Sequence, residues 1–207
     1  MVEETESLSP QRFPLLFLAL ITFMVCTHLF RDAAQALVEN LLLSLVAITS
    51  AVTLSSENKL RKLVLVLAAV FIMSRWAGSY YGSETIKVLS LFLMLLYFTY
   101  IVKGVLQFLL KSRVVDSNVI LGCVAAYLMI GILISFGFAL LLEFDPSAFS
   151  VPASEMDYTD ILYFTMITFT TIGYGDITPT ASMTRMLAYF SGIIGQMYMG
   201  IITAIIV

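Results

Sequence analysis

Charge is scarce in these 207 residues: Lys, Arg, Asp and Glu together make up 12% of the chain, while 60% is hydrophobic. A soluble domain is nearer half apolar and a quarter charged. The excess cannot be hidden inside one globule of this size, so most of it must face lipid, and the mean hydropathy of +0.98 agrees. A basic patch is missing as well. The net charge of -3 and a pI near 5.1 exclude nucleic acid as a partner. There are only two cysteines, Cys26 and Cys123, both inside apolar stretches. They read as small buried hydrophobes, not as a disulfide framework or a metal site. No zinc motif, nucleophile elbow or phosphate loop supports a membrane enzyme, and no cofactor is expected. Glu3, Glu4 and Glu6 stand where a secretory signal would carry positive charge, so the first apolar stretch is expected to be retained.

What is present is a series of six long apolar runs, 13–30, 33–54, 63–78, 85–102, 119–143 and 184–207. They predict an all-α membrane protein with six transmembrane helices. Between the last two runs lies a block rich in Thr, Ser, Pro and acidic residues, holding one further apolar helix over 158–170. At about 20 Å that helix is too short to cross a hydrocarbon core of about 30 Å, so it is expected to be re-entrant. Orientation follows from the basic residues. With the N-terminus inside, Arg12, Lys59, Arg61, Lys62, Lys103, Lys111 and Arg113 are cytoplasmic, against Arg31, Arg75, Lys87 and Arg185 outside. The acids Glu143, Asp145, Glu155, Asp157, Asp160 and Asp176 gather on the opposite side. Both biases place the two termini in the cytoplasm of a multi-pass protein of the cell membrane.

The domain plan is a cytoplasmic N-terminus over 1–12, a four-helix unit over 13–102, an amphipathic linker over 103–118 and a final two-span domain over 119–207. Lys103, Gln107 and Lys111, four residues apart, suggest that the linker is a helix on the membrane interface. Within 119–207 an outer helix (119–143), the short helix (158–170), a loop (171–176) and an inner helix (184–207) follow in order. Asp157 is placed to cap the short helix, and Asp160 suits the positive end of its dipole.

The chemistry lies in Thr170-Thr171-Ile172-Gly173-Tyr174-Gly175-Asp176. A bare cation in low dielectric costs tens of kcal/mol without compensation. A row of backbone carbonyls pointing one way can replace its water. Such a row needs ordinary and left-handed conformations in alternation, and Gly173 and Gly175 adopt the second kind without a Cβ penalty. Thr171 adds a hydroxyl at one mouth. Tyr174 can turn outward and brace the ring. The segment lacks the third glycine of a dinucleotide fingerprint, since Thr178 stands there.

The run Tyr163-Phe164-Thr165-Met166-Ile167-Thr168-Phe169-Thr170-Thr171-Ile172-Gly173-Tyr174-Gly175-Asp176-Ile177-Thr178-Pro179, flanked by two spans, resembles the pore-loop potassium channel family, six-span type with a degenerate voltage-sensor-like domain. The resemblance implies that Thr171, Ile172, Gly173, Tyr174 and Gly175 line the ion path, with K+ held at Thr171, Ile172, Gly173 and Tyr174. It also implies a four-fold symmetric homotetramer, with filter support from Tyr163, Phe164, Ile167, Thr170 and Asp176 and a gating hinge at Gly195. Two positions depart from the family pattern. Tyr163-Phe164 stand where members often have Trp-Trp, which loosens the cuff around Tyr174. Ile167 stands where some have a Glu, which removes one partner from Asp176.

The first four runs lack a ladder of arginines, so strong voltage dependence is not expected. Lys87 and Lys103 read as interfacial anchors. Glu39 and Arg75 lie at similar depth and are expected to pair, and His28 is expected to be an idle interfacial residue. The function implied is passive K+ conduction, with the lipid bilayer and three further copies of the chain as partners. An atypical voltage-gated channel and a potassium transporter subunit are the alternatives, although the single filter motif without an internal repeat counts against the second. With only a short helical stub after Gly195, the expectation is constitutive conduction or gating at the filter.

Overall fold

The computed structural model describes residues 12–30, 35–54, 58–81, 84–112 and 115–206. Seven helices follow one another there: α1 (Arg12–Leu29), α2 (Gln35–Leu54), α3 (Asn58–Tyr81), α4 (Glu84–Lys111), α5 (Ser117–Phe144), α6 (Tyr158–Phe169) and α7 (Ser182–Ile206). The only strand-like feature among the described residues is an isolated antiparallel bridge between Phe149 and Pro179. Four helices are long and apolar enough to cross a membrane, over Gln35–Thr53, Thr85–Lys111, Ser117–Phe144 and Ser182–Thr203. The other two expected spans contain shorter apolar stretches, Phe13–Leu29 and Val64–Tyr80. The expected N-terminal segment lies outside the described residues apart from its last position, as do residues 31–34 at the start of the second run.

The first four helices share one core, and the fifth closes it. Leu16, Leu20 and Phe23 of α1 are buried with Leu43, Val46 and Ala47 of α2, Ala68 and Phe71 of α3, and Met94, Phe98 and Ile101 of α4. Phe71 stacks on Tyr97 at 5.2 Å, and Phe98 meets Phe136 of α5 edge-on at 5.1 Å. Most buried hydroxyls in this core bond to a carbonyl of their own helix, as a medium without water favours, while Asn40 Oδ1 is left without a hydrogen-bond partner. The Thr27 hydroxyl donates to the Phe23 carbonyl at 2.8 Å, and Thr53 to Thr49 at 2.7 Å. The Tyr97 hydroxyl reaches across instead, donating to the Ala47 carbonyl at 2.7 Å and lying 2.9 Å from Ser50 Oγ. It pins α4 to α2. The opposite faces carry exposed Leu15, Leu18, Leu41, Leu45, Ile48 and Leu96, the surface a lipid-facing helix needs.

The expected linker over 103–118 begins within the fourth helix. Helix α4 continues unbroken to Lys111, so Lys103, Gln107 and Lys111 occupy the exposed face of the same helix. The buried Val105 and Leu109 on its other face are the reason. Phe108 packs on Phe13 at 5.2 Å, and a Cβ on Gly122 would lie 3.1 Å from Leu109 and 3.3 Å from Phe13. The end of α4 thus packs against α1 and α5. Asp116 then caps α5, accepting from the Val119 N–H at 2.8 Å.

Replacing Tyr97 by Phe removes the cross-helix bond and leaves the stacking in place. The expected loss is about 1 kcal/mol, read as a lower thermal unfolding midpoint in detergent with the helix content unchanged.

Candidate functional site

Helix α6 is held at both ends and along one side. Asp157 forms a capping box with Asp160: its carboxylate accepts from the Asp160 N–H at 3.0 Å, and the Asp157 N–H donates to Asp160 at 3.2 Å. The Tyr158 ring stacks on Phe136 at 5.5 Å, and its hydroxyl lies 2.8 Å from Ser135 Oγ on α5. Ile161, Leu162, Thr165 and Phe169 are buried. The carboxyl end of the helix dipole therefore points at the segment that follows.

That segment begins with an unusual turn. Thr170 ends the helix, and its hydroxyl donates to the Met166 carbonyl at 2.7 Å. The Thr171 N–H then donates to the Thr168 carbonyl at 3.0 Å. The N–H groups of Ile172 and Gly173 both donate to the Ile167 carbonyl, at 2.8 and 3.0 Å. Left-handed φ values fall on every second residue: Thr171 at 61°, Gly173 at 54° and Gly175 at 80°. Glycine accepts that region freely, while a β-branched threonine is strained in it and stays only where neighbouring bonds enforce it. The N–H of Thr171 and those of the next two residues supply that enforcement. Residues 171–176 are all exposed, including Ile172 (56%) and Tyr174 (72%).

The supporting residues divide into separate groups. The Tyr163 hydroxyl donates to Asp176 Oδ2 at 2.7 Å, spanning the segment from the helix to its far end. That bond holds the Asp176 carboxyl below its usual range. Asp176 thus has a partner without a Glu at position 167. Phe164 is buried away from the segment, between Phe138 and Phe149, each 5.1 Å from its ring. Ile167 contributes its carbonyl rather than its side chain. Gly195 is buried in the middle of α7, and a Cβ there would stand 1.9 Å from the Phe169 carbonyl oxygen. Its lack of a side chain is what allows α7 to touch the end of α6.

A second set of residues was not singled out from the sequence. Beyond Asp176 the chain pairs with the loop after α5. The Ser150 N–H donates to the Thr178 carbonyl and the Thr180 N–H to the Ala148 carbonyl, both at 2.9 Å. The Thr178 N–H donates to Ser150 Oγ at 3.0 Å, Thr180 Oγ1 to the Ser147 carbonyl, and Arg185 Nε to the Pro179 carbonyl at 3.1 Å. The only sequence signal for this clamp was the density of Ser, Thr and Pro around it. Among the other residues considered, Glu39 and Arg75 do pair, at 3.2 Å, while His28 Nδ1 lies 3.0 Å from the Met24 carbonyl.

Residues 128–207 match a family model described as "Ion channel". The matched stretch contains most of α5, all of α6, the alternating segment and α7. No curated protein and no solved structure matches the chain. Residues 128–207 are thus similar to an ion-channel domain, and the apolar helices are those of a multi-pass, all-α membrane protein.

The bond to Asp176 gives a signed pH prediction. A carboxyl with a depressed pKa keeps its contribution above the ordinary value, near about 3.9, and loses it only as pH falls through the depressed one. If the domain conducts as its family match suggests, currents should tolerate acid on the Asp176 side down to that range. Tyr163→Phe removes the donor, so the acid block should move to higher pH and the current should decay faster at neutral pH. Titration of single-channel currents from the Asp176 side would check both.

Proposed function

We propose that four copies of this chain form a potassium-selective channel that conducts K+ passively, with Thr171, Ile172, Gly173, Tyr174 and Gly175 as the filter strand of each copy. The observation that carries this reading is the alternation of left-handed and ordinary residues at 171, 173 and 175. Flipping every second residue turns successive carbonyls toward one side, and a ring of such carbonyls replaces the water around a dehydrated ion. K+ is the cargo, held at Thr171, Ile172, Gly173 and Tyr174, and no cofactor enters the reading.

One chain supplies one strand of that ring. The exposed Ile172 and Tyr174 lack packing within a single copy, and α7 exposes Tyr189, Phe190, Ile193, Ile194 and Met197 along its length. A cyclic tetramer would cover these faces and close the ring. All six apolar helices span the bilayer in this reading, with both termini in the cytoplasm of the cell membrane and the Asp176 end outside.

Voltage dependence should be weak. Arg75 is tied to Glu39, Lys87 is exposed near the start of α4 and Lys103 is exposed eight residues before its end, so no row of free charges runs through the described residues of the four-helix unit. The gate is assigned to the filter, where a strained Thr171 and a single Tyr163–Asp176 bond hold the conducting shape. The contact of Gly195 with Phe169 assigns that glycine a packing role in addition to any bending.

Recording purified protein in a bilayer with K+ on one side and Na+ on the other tests the reading. The reversal potential should follow the K+ gradient, crosslinking should stop at tetramers, and open probability should change little between about -100 and +100 mV, where one moved charge would contribute about 2.3 kcal/mol per 100 mV. A channel that passes both ions equally would contradict it.

A further inference from the structure

The outer end of α6 is joined to the four-helix unit by a polar contact far from the filter. Gln35 Nε2, at the first residue of α2, is surrounded by three oxygens: Asp157 Oδ2 at 2.8 Å, Glu39 Oε1 at 3.1 Å and Thr159 Oγ1 at 3.3 Å. Three acceptors around one atom fix the amide with its nitrogen inward. Behind it, Arg75 of α3 donates to the other oxygen of Glu39 at 3.2 Å. Glu39 and Thr159 are buried. The chain of contacts thus runs Arg75, Glu39, Gln35, Asp157, and its last member is the cap of the helix that bears the filter.

Electrostatics makes this contact more than incidental. The carboxylates of Glu39 and Asp157 approach the same nitrogen and repel each other, and the amide N–H groups between them relieve the repulsion, with the guanidinium and the Thr159 hydroxyl at Glu39 and the Asp160 N–H at Asp157. Packing does not substitute for it on the side facing α3 and α4. A crevice of about 940 Å3 opens there, lined by Arg75, Lys87, Glu143, Asp157 and Tyr158 among others. Helix α6 is a rod of twelve residues, so a shift at its capped end is carried to the Ile167 and Phe169 carbonyls at the other.

We propose that Gln35 is a positioning residue for the filter: backed by Glu39 and Arg75, it latches the four-helix unit to the cap of α6 and so sets how long the filter stays conducting. The leading helices thereby act on conduction without carrying gating charge. The inference rests on the potassium-channel reading of residues 171–175.

The test uses the full chain in a bilayer at fixed voltage, following the decay of K+ current after K+ on the filter side is lowered. Gln35→Glu places a third carboxylate between Glu39 and Asp157 and should speed the decay about tenfold, the scale of one lost charge-assisted hydrogen bond. The double variant Gln35→Glu/Asp157→Asn exchanges donor and acceptor across the same contact, and Asn still caps the helix. It should return the decay close to the wild-type time. Gln35→Met, which removes the donor without adding charge, should shift the decay in the same direction and serves if Gln35→Glu does not assemble. A purely structural role would lower the yield of assembled channel and leave the decay time unmoved. Wild-type decay in the single variants, or no recovery in the double variant, would overturn the latch. A wild-type channel without K+ selectivity would instead refute the channel reading itself.

Discussion

The Ile167 carbonyl accepts two N–H groups, from Ile172 and Gly173, and on that pair of bonds an ordinary helix gives way to a strand of alternating hand. A helix C-terminus usually leaves its last carbonyls to water or to a glycine cap. Here one of them is taken up by the segment that follows, which forces Thr171 into a conformation its side chain resists. Everything else near the site serves to keep that turn in place. Tyr163 anchors the far end through Asp176, α7 presses its glycine against Phe169, and the loop after α5 clamps residues 178–180.

Strain of this kind is held by surroundings that over-determine it. The surroundings form a sequence of supports running outward from residues 171–175: α5 and α7 hold α6, and the four-helix unit holds α5 through Phe98 and Phe136 and holds α6 through Gln35 and Asp157. The leading helices are thus tied to α5 and α6 at two levels, one apolar and one polar. In the proposed channel, such ties let the leading helices act on conduction without moving charge.

Legibility in the sequence followed the range of the interaction. The glycine spacing at 173 and 175, the cap at Asp157 and the short length of α6 are local, and each could be read from neighbouring residues. The Glu39–Arg75 pair was legible because an acid and a base at similar depth in apolar runs seek each other. Thr171 was not legible as a left-handed residue, since a β-branched side chain argues against it and only the bonds to Thr168 and Ile167 explain it. The Tyr163–Asp176 bond and the reach of Gln35 to Asp157 depend on chain reversal and on packing between units. At the end of α4 the polar residues Lys103, Gln107 and Lys111 are visible in the sequence, while the burial of Val105 and the packing of Leu109 against Gly122 of α5 are not.

The central claim is that the carbonyls of residues 171–174 form rings that bind K+. An experimental structure of the assembled channel, soaked with Tl+ as a heavy substitute for K+, tests it most directly. The account predicts strong anomalous peaks in a row on a four-fold axis, each surrounded by the carbonyls of Thr171, Ile172, Gly173 or Tyr174. Density that lies off the axis, or an axis with no peaks at these carbonyls while Na+ binds there equally, would contradict it.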